Sequence, residues 1–110
     1  MDFEEVDEGT HVVLAPEGKL NLVAAPPLKA RIDDLVAAGK ARLVVDLHAV
    51  DFIDSSGLGA LIGGLKAARQ QGGDLRIADP GEQVRAVLKL TNLDRILAPY
   101  ATVEEALHDW

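Results

Sequence analysis

Two adjacent serines, Ser55 and Ser56, are the residues of this sequence best placed to take part in chemistry. They follow Asp54 and precede Gly57 and Gly59, and a helical pattern of apolar residues begins directly after them. The N-terminus of a helix carries unpaired N–H groups and a partial positive charge, which favour a hydroxyl or a phosphate at that position. The two serines are therefore either helix caps or residues that a partner reads and modifies.

Known catalytic patterns do not fit this stretch. A nucleophile elbow requires glycine two residues before its serine, but Ile53 and Asp54 occupy those positions for Ser55 and Ser56. A dinucleotide-binding loop would need a third glycine where Ile62 stands. No Gly-Lys-Ser/Thr sequence is present for a P-loop. We therefore do not expect an enzyme.

Metal and cofactor sites are not predicted either. His11, His48 and His108 lie far apart and match no spacing of metal ligands. The chain has no cysteine for a thiolate site or a disulfide, which fits a reducing cytoplasm. Asp51 and Asp54 are interpreted as turn and capping residues beside the helix start rather than as a carboxylate site.

Length and charge limit the classes of partner. The 110 residues suffice for one domain, residues 1–110. The net charge of −7 and the scattered basic residues argue against binding to nucleic acid. No stretch approaches the roughly 18–20 apolar residues of a membrane span, and the first residues do not resemble a signal peptide. We expect a cytoplasmic protein that binds neither nucleic acid nor membrane.

Strand-like and helix-like segments alternate along the chain, which predicts a mixed α/β domain. The continuous apolar run at 42–47 indicates a central strand that is buried on both faces. In chain order we predict a hairpin over 2–8 and 10–16, a helix with Pro26 and Pro27 in its first turn and Gly39 at its end, a strand over 42–47 and a loop over 48–54. There follow a helix that begins near Ser55 or Ser56 and ends at Gly72-Gly73, a strand over 74–78, a helix broken near Thr91 and Asn92, a strand over 99–101 and a helix over 103–109.

Residues 52–61 closely resemble the signature loop of STAS domains of the anti-sigma factor antagonist (anti-anti-sigma factor) type. The resemblance covers nearly the whole chain. Four further segments occur in the family order: residues 18–21, the strand over 43–47, the Gly72-Gly73 turn with its strand, and residues 90–93.

The resemblance implies an α/β fold with a mixed β-sheet and helices packed mainly on one face, and no catalytic activity. It implies a bacterial regulator of transcription by partner switching. Such a protein binds an anti-sigma factor that is also a serine kinase of the histidine-kinase-like ATPase fold, and thereby frees the sigma factor. The kinase phosphorylates the serine after the aspartate, which is Ser55 here, and a serine phosphatase restores the binding form. We expect the partner to contact Asn21, Asp54, Ser55, Ser56, Gly57 and Gly59.

One departure from the family pattern and two alternatives bear on this prediction. Many relatives have Asp where this chain has Asn21, so a negative charge near Ser55 is missing and kinase recognition is expected to change. One alternative is a STAS subunit of a transport or scaffold assembly that acts without phosphorylation. The other is a small-molecule or nucleotide binder that uses the helix N-terminus near Ser55 as an anion site.

Overall fold

The computed structural model describes residues 3–110 and begins with the predicted hairpin. Strand β1 (Phe3–Asp7) pairs antiparallel with β2 (Val12–Pro16). Residue 2, which the prediction included, lies outside the described residues. Gly9 has a positive φ of 86° in the connecting turn, a conformation that glycine adopts without steric cost.

Parallel strands extend this hairpin into a five-stranded sheet of order β1-β2-β4-β6-β7. The added strands are β4 (Arg42–Asp46), β6 (Asp74–Ala78) and β7 (Pro99–Tyr100). Leu43, Val44 and Val45 of β4 are each 0% exposed, because β4 is central and both of its faces are covered. This confirms the sequence prediction of a doubly buried strand.

Helices cover mainly one face of the sheet, as expected. Helices α1 (Ala25–Ala37), α2 (Ser55–Gln70) and α3 (Glu82–Leu90) contribute residues to the main core. Helix α4 (Val103–Ala106) is shorter than predicted and packs on the other face, where Ala106 contacts Val44 and Ala78. The predicted break after α3 is confirmed, since Asn92 is left-handed with φ 58° and a 3₁₀ turn (Leu93–Arg95) follows.

A second, two-stranded sheet was not predicted. Strand β3 (Gly18–Leu20) pairs parallel with β5 (Val50–Ile53), so the prediction of a loop over 48–54 was wrong. In β5, Val50 and Ile53 are buried whereas Asp51 and Phe52 are exposed, so the segment lacks the alternation by which a strand is recognised. This small sheet leads directly into α2.

Glycine at position 64 allows α2 to pack closely on its neighbours. A Cβ atom there would lie 3.0 Å from Ile32 Cγ2 of α1 and 3.0 Å from Leu75 Cδ1 of β6. The neighbouring Gly63 is less constrained, since a Cβ atom there would meet only the flexible side chain of Lys29.

Charged pairs tie the edge strand β1 to α1 and to the residues that follow it. Two of the guanidinium nitrogens of Arg31, Nε and Nη2, donate hydrogen bonds to the Glu5 carboxylate, each at 2.6 Å. Lys40 likewise donates to Asp7. The hydrogen bond from Arg31 holds the pKa of Glu5 below its ordinary value of 4.5. The stabilisation from this pair is therefore complete above pH 4.5 and is lost as the pH falls through the lowered pKa of Glu5.

We predict that Glu5→Gln lowers the free energy of unfolding at pH 7 by up to about 1 kcal/mol, because the pair is partly exposed. The difference from wild type should shrink as the pH falls below 4.5 and through the lowered pKa of Glu5, since wild-type Glu5 then becomes protonated and uncharged too. Urea unfolding at several pH values measures this. Glu4→Gln is the matched control, because Glu4 is exposed and has no side-chain partner among residues 3–110. A difference that does not depend on pH across the acid range would contradict the assignment.

Candidate functional site

The loops after β3 and β5 begin side by side because the two strands are in parallel register. Leu20 is the register partner of Ile53, and the Asp54 N–H donates to the Leu20 carbonyl at 3.4 Å. The next residues, Asn21 and Asp54, therefore lie at the same edge of the small sheet. Two segments that are 33 positions apart in sequence are thus brought together at the start of α2.

Asp54 is the N-cap of α2. Its Oδ1 atom accepts hydrogen bonds from the N–H groups of Ser56 at 2.9 Å and of Gly57 at 3.1 Å. The predicted capping role of Asp54 is confirmed. Of the two possibilities left open for the serines, that of helix caps does not hold, because Asp54 is the N-cap and Ser55 is the first residue of the helix. Within residues 3–110 neither serine hydroxyl makes a hydrogen bond, and Ser55 is exposed.

The cap also sets the electrostatics around Ser55. The Asp54 carboxylate already occupies two of the N–H groups that a helix N-terminus offers to an anion. A phosphate on Ser55 would therefore lie beside a carboxylate and would find fewer free donors than at an uncapped helix. The arrangement favours a neutral hydroxyl at this position.

Asn21 holds the turn that precedes α1. Its Oδ1 atom accepts hydrogen bonds from the N–H groups of Val23 at 3.1 Å and Ala24 at 3.2 Å, and its carbonyl accepts from Ala25 at 2.8 Å. An aspartate carboxylate could accept the same bonds. The difference between Asn and Asp here therefore changes charge near Asp54 and leaves the turn intact.

An apolar groove that the sequence did not predict lies between the first turns of α1 and α2. We call it the Leu22 groove; it is lined by Leu22, Ala25, Pro26 and Lys29 on one side and by Ser56, Gly59 and Ala60 on the other. Leu22 and Val23 are 71% and 77% exposed, which is unusual for large apolar side chains next to each other. The available signal was an apolar pair in a loop, directly before Ala24, outside the helical stripe of α1.

The two glycines of the predicted site differ in their surroundings. Gly57 is buried, and a Cβ atom there would lie 2.3 Å from the Leu20 carbonyl oxygen and 2.7 Å from Ile53 Cγ1. Contacts within the domain thus account for glycine at this position, and its part in partner binding stays a prediction. Gly59 is exposed and has open space over its Cα atom, so the backbone of α2 is accessible there.

Gln83 of α3 is a second residue that the sequence did not indicate. Its Oε1 atom accepts from the Ile53 N–H at 2.9 Å, and its Nε2 atom donates to the Ile53 carbonyl at 3.0 Å. A single glutamine in a short helix gives no sequence signal for such a contact. It joins α3 to the residue that precedes Asp54.

Comparison with known families agrees with this geometry. Residues 3–106 match the sequence profile of the STAS domain. The chain belongs to the STAS domain family. The fold class and the resemblance noted from the sequence are both confirmed.

Relatives of this STAS domain are named as regulators. A Thermotoga maritima protein provisionally named an anti-sigma factor antagonist is 36% identical over 99 residues, which cover 89% of this chain and 88% of its own. The corresponding crystal structure has a TM-score of 0.90 and covers 97% of this chain and 92% of its own. The Bacillus subtilis anti-sigma-B factor antagonist is 31% identical over 97 residues, 88% of this chain and 86% of its own.

A more distant structure shows the same fold. The Bacillus cell fate determinant SpoIIAA in its phosphorylated form has a TM-score of 0.75 at 24% identity, covering 96% of each chain.

Two kinds of feature are absent from the described part of the chain. No helix within residues 3–110 has the length and apolar character needed to cross a membrane. Over the same residues, histidine and acidic side chains form no group of three or more that could hold a metal ion.

We predict that Gly57→Ala lowers the free energy of unfolding by about 1–3 kcal/mol, since the added methyl group would overlap the Leu20 carbonyl. Gly59→Ala is the matched control in the same helix and should raise stability by up to about 1 kcal/mol, because nothing opposes the methyl group and alanine favours a helix. Urea unfolding of both variants tests this. Equal effects of the two substitutions would be inconsistent with the internal contact of Gly57.

Proposed function

We propose that this STAS domain is an anti-sigma factor antagonist that is switched off by phosphorylation of Ser55. The observation that carries the proposal is the exposed, unbonded hydroxyl of Ser55 at the start of α2, beside the carboxylate of Asp54. The names of the Thermotoga and Bacillus relatives support the antagonist function. The proposed partner is an anti-sigma factor with serine kinase activity, which releases its sigma factor when this domain binds.

The Leu22 groove supplies affinity in this proposal. Burying a large apolar side chain such as Leu22 or Val23 at an interface removes it from water and contributes about 1.5–3 kcal/mol. A partner that covers the groove also covers Ser56 and Gly59, which adjoin Ser55. The same contact therefore provides binding and brings the Ser55 hydroxyl to the partner's nucleotide.

The modification is a phosphoryl transfer from ATP. The Ser55 Oγ atom attacks the γ-phosphorus of ATP bound to the kinase, so a new O–P bond forms as the bond between the γ-phosphorus and the β,γ-bridging oxygen breaks. ADP leaves, and the hydroxyl proton passes to a base of the kinase. Asp54 is engaged with the N–H groups of Ser56 and Gly57, so its role is to hold the helix start. A serine phosphatase reverses the change by hydrolysis.

Phosphorylation would switch binding by charge. It adds about −1.5 to −2 charges at neutral pH, next to Asp54 and in an interface fitted to a neutral hydroxyl. A loss of about 3 kcal/mol would weaken binding roughly a hundredfold. Since the donors of the helix start are partly occupied by Asp54, the phosphate gains limited compensation within the domain. The fold itself tolerates a phosphate, as the phosphorylated form of SpoIIAA illustrates.

We predict that an anti-sigma kinase with ATP and Mg²⁺ adds one phosphate to the wild-type domain and none to Ser55→Ala. Ser56→Ala is the matched control and should still be modified, since Ser55 remains in place. Intact mass and peptide mapping measure the site. Phosphorylation of Ser55→Ala at the wild-type rate would refute the assignment.

We further predict that Leu22→Ser weakens binding of the anti-sigma kinase to the unphosphorylated domain about tenfold or more, because an apolar contact at the interface is lost. Leu90→Ser is the control, because Leu90 is 84% exposed but lies at the end of α3, outside the groove. Calorimetry with the purified kinase measures both. Equal affinities for wild type and Leu22→Ser would place the interface elsewhere.

The same assays distinguish the remaining possibilities. A domain that binds the kinase but stays unmodified would indicate an antagonist without a phosphorylation switch, consistent with Asn21 in place of Asp. A domain that binds no such kinase would favour a subunit of a transport or scaffold assembly.

A further inference from the structure

Gln83 replaces a neighbouring strand at one residue of β5. Its side-chain amide accepts from the Ile53 N–H at 2.9 Å and donates to the Ile53 carbonyl at 3.0 Å. This pair of bonds is the pattern that an adjacent strand would provide to a β-residue. The small sheet consists of β3 and β5, so this edge of β5 has no strand partner in the described residues.

Both ends of this contact are fixed by the core. Val84 and Leu88 of α3 are each 1% exposed, so the helix that carries Gln83 is anchored next to it. Ile53 is also 1% exposed, and its side chain lies directly under Gly57. The core thus holds the Ile53 side chain, and Gln83 holds its main chain.

The Ile53 main chain leads into the phosphorylation site. Asp54 follows it and caps α2, and Ser55 comes next. If the amide were lost, the buried N–H and carbonyl of Ile53 would lack the Gln83 partner, which destabilises this conformation relative to one in which water reaches them. The segment that sets the position of the Ser55 hydroxyl would then become more mobile.

We propose that Gln83 is a positioning residue for phosphoryl transfer to Ser55. It touches neither kinase nor nucleotide, and it acts through the main chain of Ile53 and the cap at Asp54. This inference rests on the proposed function. Phosphoryl transfer requires the attacking oxygen in line with the γ-phosphorus, and a displacement of about 1 Å can lower a rate about a hundredfold. The effect should therefore fall on kcat, because the Leu22 groove that provides affinity is built from other residues.

The experiment compares wild type with Gln83→Met, a side chain of similar length that makes no such bonds, as a substrate of the anti-sigma kinase. We expect kcat for Ser55 phosphorylation to fall about tenfold or more while KM changes less than about threefold. Gln70→Met is the matched control, since Gln70 is an exposed glutamine in the last turn of α2 with no side-chain hydrogen bond in residues 3–110. It should leave both constants unchanged.

Amide hydrogen exchange provides an independent readout on the free domain. In Gln83→Met the Ile53 amide should exchange about tenfold faster or more, because it loses its acceptor, while the central-strand amides of Val44 and Val45 change less. Circular dichroism at the assay temperature ensures that every variant is folded. A variant that is unfolded there is replaced by Gln83→Glu, which keeps the acceptor but loses the donor to the Ile53 carbonyl.

Each contrary outcome has one meaning. Wild-type kcat together with fast exchange at Ile53 would overturn the positioning role and leave the proposed function intact. Exchange at Ile53 in Gln83→Met as slow as in wild type would overturn the contact itself. If the exchange rate rose equally at all amides and kcat and KM changed together, Gln83 would only stabilise the domain and would not position Ser55. Absence of phosphate on wild-type Ser55 would refute the proposed function and the positioning role with it.

Discussion

The cap that Asp54 forms on α2 is the interaction on which the site depends. One carboxylate oxygen binds the N–H groups of Ser56 and Gly57, and this fixes Ser55 as the first, exposed residue of the helix. The cap is possible because the parallel pairing of β3 with β5 delivers Asp54 to that point. Gly57 then lets the helix approach the Leu20 carbonyl more closely than any side chain would allow.

The same cap gives a physical reason for the switch that we propose at Ser55. The N-terminus of a helix normally favours a bound anion, but here the Asp54 carboxylate already accepts hydrogen bonds from two of its N–H groups. A neutral serine fits beside Asp54, and a phosphate would add repulsion at the border of an apolar groove. In the proposed function, affinity and regulation therefore depend on neighbouring but different residues, Leu22 for affinity and Ser55 for regulation. Under that proposal, the charge of a phosphate releases the partner while the fold is kept.

The sequence predicted much of the fold and part of the site. The central strand, the proline start of α1 and the break after α3 were recognisable because periodicity, Pro and Asn act locally. The strands β3 and β5 were missed because they are short and their exposed residues follow no alternation. Whether the serines cap the helix was left open, since the sequence does not tell which of Asp54, Ser55 and Ser56 turns its side chain towards the helix.

The sequence by itself determined the family, the position of Ser55 after an aspartate, and the acidic, cysteine-free composition, because these depend only on the order of residue types. The tertiary structure decided which groups meet there. It brought Asn21 beside Asp54, exposed Leu22 and Val23, and placed the Gln83 amide on Ile53 across 30 positions of sequence. Such contacts depend on how separate elements pack together, and no local pattern of residues encodes them.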